Sequence, residues 1–405
     1  MSDQYDLVVV GGGIAGASLA GSVAASGARV LVLEREREFR DRVRGEWVAP
    51  WGVLELERIG ILNVLRERAA AHELPFQNTG VRRLGATPTD LVKHSRPQRP
   101  GLTFFHPAAQ EALISWAAEQ GAEVNRGARV TAVHGGVSPS AEWTGEGAGT
   151  ATARLVVGAD GRTSLVRKAI EKPEQTRGEM RLWAGVRMRN LNWPSDCGML
   201  TLDPESGYAA AVFPQGDGAA RVYLGPSREE RKRLSGAKDV DSFLAGLKPL
   251  LGDQDVFGEA EAIGPLATFD TEMRWIDDPQ RDGLVLIGDA AGYTDPTWGQ
   301  GLALGFRDAR VLGEALNASD DWTEAVASYA AEHDRYFNAM VKSEAWTEEV
   351  LLTPGPEGEA VRNRAFAAWA EDPTRNPTAA YNGPDFTADE EARRRFFGLD
   401  LVEAS

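Results

Sequence analysis

The chain has a single cysteine, Cys197, and only five histidines in 405 residues. One thiol closes no internal disulfide and builds no thiolate metal cluster, and it suits a reducing compartment such as the cytoplasm. The histidines are scattered with no pair at ligand spacing, so a metal enzyme is not expected. Cations are outnumbered as well: 44 Lys and Arg against 60 Asp and Glu leave a formal charge of −16. A surface that acidic repels phosphate backbones and anionic headgroups, which argues against nucleic-acid and membrane partners. Long apolar runs are also missing. The apolar stretch 7–33 is broken by Gly11, Gly12, Gly13, Ser18, Ser22 and Arg29, with no basic segment before it. It reads as neither a membrane span nor a signal peptide.

What remains is an ordinary globular composition, 42% hydrophobic and 26% charged, in a chain long enough for two to three domains at roughly 150 residues each. Leu7 to Val10 is a β-branched run without polar alternation, as expected for a strand buried on both faces of a parallel sheet. A glycine turn, a small-residue helix from about Ile14 to Ser26 and a second buried strand, Arg29 to Leu33, complete a βαβ unit. Residues 107–120 read as a helix, and Leu155–Val157 and Leu284–Ile287 as further buried strands. Between them, Met180–Arg189, Met199–Asp203, Gly207–Phe213 and Ala219–Gly225 alternate with turn residues, the pattern of an antiparallel sheet. The nucleotide-type pattern resumes at 284, so that sheet is an insertion. Beyond about residue 350, proline, glycine and charge increase, and the tail is expected to be helical with irregular wrapping.

Three motifs carry chemistry. Gly11-Gly12-Gly13-Ile14-Ala15-Gly16 is a G-x-G-x-x-G between a buried strand and a helix. Gly11 permits the tight turn, Gly13 lets backbone approach a pyrophosphate, and Gly16 lets helix and strand pack closely. The helix N-terminus offers free N–H groups to the phosphates. Glu34, at the end of the second strand, is placed to accept hydrogen bonds from ribose hydroxyls. An acid there argues against a 2′-phosphate, although Arg35 and Arg37 are near, and leaves FAD or NAD. The second motif is Gly158-Ala159-Asp160-Gly161-Arg162-Thr163-Ser164-Leu165-Val166-Arg167. The third is Gly288-Asp289-Ala290-Ala291-Gly292 with Asp295-Pro296-Thr297-Trp298-Gly299-Gln300-Gly301, followed by a helix from about Leu302 to Leu316. Gly299 and Gly301 clear side chains from that helix N-terminus, whose partial positive charge suits the anionic edge of a reduced flavin. Asp289 is placed for a ribityl or ribose hydroxyl.

The order and spacing of these motifs resemble the p-hydroxybenzoate-hydroxylase-type FAD-dependent monooxygenases, over residues 1 to about 335. The resemblance implies an α/β fold: a Rossmann-type, three-layer FAD-binding domain with an inserted antiparallel substrate domain and a helical C-terminal tail. Residues 1–75, 100–170 and 268–340 would form the first, 76–99 and 171–267 the second, and 341–405 the third. It implies that Gly11, Gly13, Gly16 and Glu34 hold the ADP half of FAD. Asp160 would sit near FAD and the nicotinamide route, Asp289 near the ribityl and pyrophosphate, and Pro296 to Gly301 along the ring. Ile14, Ala15, Arg35, Arg44, Val130, Gly161, Gly288, Gln300 and Leu302 complete the expected cofactor contacts. His106 stands where the family often has an arginine against the FAD phosphates. Two features resemble the prenyl reductase and halogenase branch instead: Gly292 where many hydroxylases have histidine, and Arg44-Gly45-Glu46.

The activity implied is hydroxylation of a small phenolic or polycyclic aromatic, with O2 as co-substrate, through a flavin C4a-hydroperoxide. A single dinucleotide fingerprint means that NAD(P)H would visit transiently. A reductase of an unsaturated, isoprenoid-like ligand, a halogenase, and a flavin-binding protein without turnover are the alternatives. Pro296 and Trp298 are the expected flavin-edge residues, and no catalytic base is assignable. Trp47, Trp183, Arg187, Tyr208 and Trp298 are the substrate candidates. Trp183, Gly185 and Arg187 share one strand face, and Arg187 is the candidate for meeting an anionic substrate.

Overall fold

A computed structural model describes residues 3–81, 88–226, 239–251 and 255–403. Its first sheet has at its centre Asp3–Val10, flanked in parallel by Val30–Glu34 and Gly149–Gly158. Glu123–Arg126 and Leu284–Leu286 extend it in parallel on the two sides. The uniform apolar runs are explained by cover on both faces. Leu7 and Val9 join a cluster with Leu19, Val23, Leu312 and Tyr329 beneath the helices Ile14–Ala24 and Gly301–Ala318. Val8 and Val10 point the opposite way, to Leu31, Leu33, Ala141 and Val166. A meander, Ala128–His134 and Ser140–Gly145, runs antiparallel onto the start of Gly149–Gly158 and covers that second face.

The expected inserted sheet is present and larger than the sequence suggests. Its order is Gly292–Tyr293, Ala267–Ile276, Glu174–Arg189, Ala219–Gly225, Tyr208–Pro214, Cys197–Asp203, Phe76–Val81 and Thr89–Asp90. All neighbours are antiparallel except Cys197–Asp203 with Phe76–Val81. Strand Ala267–Ile276 pairs along the 16-residue strand Glu174–Arg189 and so carries this sheet past residue 268. A small third sheet, Trp47–Val48, Gly101–Thr103 and His72–Leu74, bridges the two.

At the C-terminal end, helix Trp322–Leu352 begins at Asp321, whose carboxylate accepts the Thr323 and Glu324 amides at 2.9 and 3.2 Å. The helix runs unbroken through residue 340, because its apolar face stays continuous. Tyr336, Phe337 and Met340 pack with Trp47, Trp51 and Met273, and Trp346 and Val350 pack with Phe396, Phe397 and Ala365 from the segments that follow. The tail is therefore part of the core. Among the described residues no helix is long and apolar enough to cross a membrane.

Candidate functional site: a cavity between the two sheets

A cavity of about 870 Å³ lies between the parallel sheet, the antiparallel sheet and the C-terminal helices. The fingerprint glycines form one end, and their roles separate cleanly. Gly11 has φ +103°, and a Cβ there would lie 2.4 Å from the Ala159 carbonyl oxygen; at Gly16 it would lie 2.0 Å from the Gly11 carbonyl oxygen. These two glycines are needed by the fold and do not line the cavity. Gly13 does line it, and a Cβ there meets nothing nearer than the Gln110 amide at 3.8 Å. The open side of Gly13, with Ile14 and Ala15, faces the cavity at a helix N-terminus that no side chain caps. Such a cradle fits a pyrophosphate.

Glu34 is buried behind this turn, where its carboxylate accepts the Gly12 amide at 2.8 Å and the Glu36 amide at 2.7 Å. A carboxylate has about four acceptor positions, so two remain unused, and the side chain stands behind the residues that line the cavity. Arg35, Arg44 and Arg162 line the cavity nearby. Burial and the like charge of Arg162 pull the Arg44 pKa down, while Asp289 opposes them. The Arg162 guanidinium lies 3.8 Å from the Asp289 carboxylate and 4.8 Å above the Tyr293 ring.

The second motif works through its ends. Asp160 lines the cavity with Gly161 and accepts the Leu165 amide at 2.7 Å, and burial pushes its carboxyl upward. Arg167 is buried and donates to the Ala290 and Asp289 carbonyls at 3.0 and 3.3 Å, with Glu174 at 3.3 Å. The last arginine of the second motif thus bolts down the third.

The third motif is also held from within helix Gly301–Ala318. The Gly288 amide donates to Asp308 Oδ2 at 2.6 Å, and the Tyr336 hydroxyl donates to Oδ1. Burial raises the Asp308 carboxyl above its ordinary range. The sequence reading missed Asp308, although its spacing from the buried Leu304 and Leu312 marks an acid on a buried helix face. Asp295 accepts the Thr297 amide at 2.8 Å, closing the turn Pro296–Trp298. Gly299, at φ +69°, has the Trp47 ring 2.7 Å from its would-be Cβ. Gly301 is open, with only Asp289 Oδ1 at 3.9 Å. The helix beginning at Gly301 lacks a side-chain cap, so its N–H groups face the cavity beside Gly288, Asp289, Pro296, Trp298 and Leu302.

Several sequence candidates sit elsewhere. Gln300 is buried away from the cavity, accepting the Trp51 indole N–H at 2.9 Å, so only its backbone belongs to the helix entry. Val130 packs in the meander beside the second cluster. Tyr208 packs in the cluster beneath helix Val240–Leu251. Arg187 donates to Gln215 Oε1 at 2.9 Å and lies 4.4 Å over the Phe105 ring, outside the lining. Strand alternation placed Arg187 on the correct face, but the buried acid cluster below it, not the cavity, is its neighbour. That cluster explains Arg44-Gly45-Glu46. Glu46 and Arg221 are both buried and pair at 2.7 Å, and Arg221 also reaches Asp41 at 3.0 Å. Glu46 Oε1 accepts the His106 amide at 3.0 Å. The His106 ring lines the cavity and its Nδ1 donates to the Gly45 carbonyl at 2.9 Å. Burial lowers its pKa, so the ring is neutral and Nε2 is an acceptor. Gly292 likewise has a steric cause: a Cβ there would lie 2.6 Å from the Phe337 ring.

The other end of the cavity is aromatic. Trp47 stacks on Phe213 at 5.9 Å, and Tyr223 meets Trp183, Phe213 and Phe269 edge-on at 6.3–6.5 Å. The Tyr223 hydroxyl donates to the Arg44 carbonyl at 2.7 Å, and the Trp183 indole N–H donates to Thr297 at 3.3 Å. Thr347, Leu351, Trp369, Asn376, Tyr381 and the exposed Phe366 border this end from the C-terminal segment. No sequence signal pointed to them, because nothing local distinguishes a wall residue from a packing residue.

Comparison with known proteins agrees with this geometry. Residues 4–343 match the family described as FAD binding domain. The chain is 28% identical to a rifampicin monooxygenase of Rhodococcus hoagii, over 77% of this chain and 64% of that one. It is 30% identical to a 12-dehydrotetracycline 5-monooxygenase/anhydrotetracycline 6-monooxygenase of Streptomyces rimosus, over 89% and 72%. It thus spans about two thirds to three quarters of the length of these relatives. The crystal structure of p-nitrophenol 4-monooxygenase from Pseudomonas putida DLL-E4 superposes with a TM-score of 0.75 at 20% identity, covering 100% of this chain and 98% of that one. With a fingerprint cradle, a second motif that braces the third and a family match over most of its length, the chain belongs to the FAD-binding flavoprotein monooxygenase family of the p-hydroxybenzoate-hydroxylase type.

Proposed function

We propose that the protein is an FAD-dependent monooxygenase that uses NAD(P)H and O2 to hydroxylate a small aromatic substrate. The observation that carries this reading is the junction of the two cavity ends: the turn Pro296–Trp298 and the uncapped helix at Gly301 adjoin a box of aromatic rings. FAD, when bound, supplies a flavin that accepts hydride and activates oxygen. The chain's own residues do the rest. Gly13 and the helix N-terminus at Ile14 would hold the pyrophosphate, and Glu34, behind that turn, would take the ribose hydroxyls. Asp289 would meet the ribityl region, and the N–H groups after Gly301 would favour negative charge on the ring. The aromatic box orients a flat substrate and keeps water from the reacting face. Glu46 is engaged by Arg221 and is not free to act as a base, whereas His106, tied to Gly45 through Nδ1, keeps Nε2 as an acceptor at the cavity.

The test is oxygen and NAD(P)H consumption by the purified yellow protein, with and without a phenol, with mass analysis of the product. Substrate-stimulated consumption with one oxygen atom incorporated is expected. Reduction of an added isoprenoid without oxygen incorporation would favour the reductase reading instead. The two features that resemble the reductase branch, Gly292 and Arg44-Gly45-Glu46, both have packing reasons in this fold.

A further inference from the structure

The turn before helix Gly301–Ala318 is braced from behind by a side chain outside the cavity lining. Gln300 is fully buried, and its carboxamide reaches three separate segments. Its oxygen accepts the Trp51 indole N–H at 2.9 Å. Its nitrogen donates back to the Trp298 carbonyl, within the turn, and across to the Ala380 carbonyl at 3.4 Å. A carboxamide has two N–H donors, so both are spent, one on each side of the residue.

Ala380 belongs to the C-terminal segment 376–383, of which Asn376, Thr378, Ala379, Ala380 and Tyr381 line the cavity. Two residues in the left-handed region bound its central part. Thr378 has φ +47° and Gly383 has φ +83°, and the first is a conformation that β-branched residues rarely adopt. Between them lies the four-residue helix Ala379–Asn382, in which Ala379 alone is buried. A flap with so little buried surface opens at low cost, and its two ends sit where hinge residues absorb a rotation. Beyond Gly383 the chain is clamped again. Asp385 accepts from Arg307 at 2.6 and 2.9 Å and from Arg335 at 2.9 Å.

Two tryptophans complete the link between turn and flap. A Cβ on Gly383 would lie 3.0 Å from the Trp51 ring, so the indole that holds Gln300 also carries the end of the flap. Trp47 packs against Gly299 of the turn and meets the Tyr381 ring edge-on at 6.5 Å. The Tyr381 hydroxyl in turn shares a hydrogen bond of 3.0 Å with Thr79. Moving the flap away from the turn leaves a buried Gln300 donor unpaired, which is unfavourable.

We propose that Gln300 is a positioning residue that keeps the turn 296–301 and the flap 376–383 in one register, so that FAD at the turn orders the flap over the cavity. The proposal rests on the flavin lying beside Gly301, and it requires no particular substrate. Such coupling is reciprocal: a displaced flap weakens the hold on FAD by the same factor.

The test is hydrogen–deuterium exchange of the full-length protein, with saturating FAD and after its removal. In the native chain FAD should slow exchange in peptides covering 296–301. It should also slow those covering 376–383 by about fivefold or more, the low end of coupling between two sites. Gln300→Met keeps the length of the side chain and removes its hydrogen bonds. In that variant the flap should exchange at one rate with and without FAD, while the turn stays protected. Asp385→Asn is the control for a merely structural role. It weakens the outer clamp, and should quicken flap exchange in both states while preserving the FAD-dependent ratio. An unchanged ratio in Gln300→Met overturns the proposal, as does an equal loss of the ratio in Asp385→Asn. Should Gln300→Met not fold, Trp51→Phe removes the indole N–H and leaves a ring against Gly383. The ratio must fall there, and an unchanged value overturns the proposal as well. In the native chain, protection of the turn without the flap overturns the coupling alone. Protection of neither overturns it together with the flavin placement, so the two failures are distinguishable.

Discussion

The two ends of the cavity achieve recognition by opposite means. The nucleotide end uses backbone: glycines without Cβ, two helix N-termini without side-chain caps, and carboxylates held by amides, Glu34 through both oxygens and Asp160 through Oδ2. Its specificity is for charge and for hydroxyl pairs, which any ADP-bearing cofactor presents. The ring end uses side chains: Trp47, Trp183, Phe213, Tyr223, Phe269 and further aromatic rings, with a hydroxyl pair at the rim. Backbone recognition requires particular residues at particular positions in the chain and therefore leaves a motif. Side-chain recognition assembles rings from distant segments and leaves none. The Glu46–Arg221 pair joins the two ends, since it links the segment before Trp47 to strand Ala219–Gly225.

That contrast can be broken at either end. The largest effect is expected from Gly13→Val. Its Cβ has open space, so the protein should fold, while the added side chain fills the pyrophosphate cradle. Purified protein should be colourless, and full FAD occupancy would show that the turn is structural only. Next is the joint. Arg221→Met leaves Glu46 buried beside Asp41 without its cation, and breaking such a pair typically costs about 3–5 kcal/mol. Chemical denaturation should show that loss, with partial recovery in Arg221→Met combined with Glu46→Gln; an unchanged midpoint would mean that the pair is dispensable.

Gly301→Val comes third. The position is open towards Asp289, so the fold should survive, but the side chain separates the helix N–H groups from the flavin. Loss of such a donor costs about 2.7–4 kcal/mol in well-enclosed sites and less where water substitutes. The flavin reduction potential should fall and substrate-dependent turnover should slow; unchanged values would place the ring elsewhere. Asp289→Ala should instead weaken FAD retention by about 1 kcal/mol, the value of a hydrogen bond to a hydroxyl, with the potential little altered.

The smallest effect concerns pH. Glu344, on helix Trp322–Leu352, is buried, and its carboxyl faces Thr294 and the Asp295 amide, with Arg177 contributing from strand Glu174–Arg189. Burial first, and then the charge of Asp295, raise its pKa well above the ordinary glutamate value. A raised folded-state pKa stabilises the fold below the unfolded value, and that stability is lost as pH rises through the folded one. The native protein should therefore lose thermal stability on going from the ordinary carboxylate range towards alkaline pH, and Glu344→Gln should flatten that dependence. Parallel pH curves for the two proteins would exclude the role.

Much of the nucleotide end was legible beforehand because its physics is local. A strand buried on both faces must be apolar throughout, a tight turn must be glycine, and a helix that meets phosphates must begin with small residues. Helix Ile14–Ala24, strand Ala219–Gly225 and helix Gly301–Ala318 lie within a residue or two of where the pattern puts them. What escaped was whatever depends on a second segment. Asp308 looks like one acid in a helix until the Gly288 amide is folded against it. Arg187 looks like a ligand for an anion until Gln215 and Phe105 take it.

By itself, then, the amino-acid sequence determined the βαβ cradle, its fit to FAD or NAD, and the antiparallel insertion, because hydrophobic period, glycine geometry and helix termini are written residue by residue. Only the tertiary structure decided which rings face the flavin side, which cations leave the lining and that residues 347–381 close the chamber. Those outcomes depend on packing between segments up to 302 residues apart in sequence, as Thr79 and Tyr381 are, and no local pattern encodes a contact at that range.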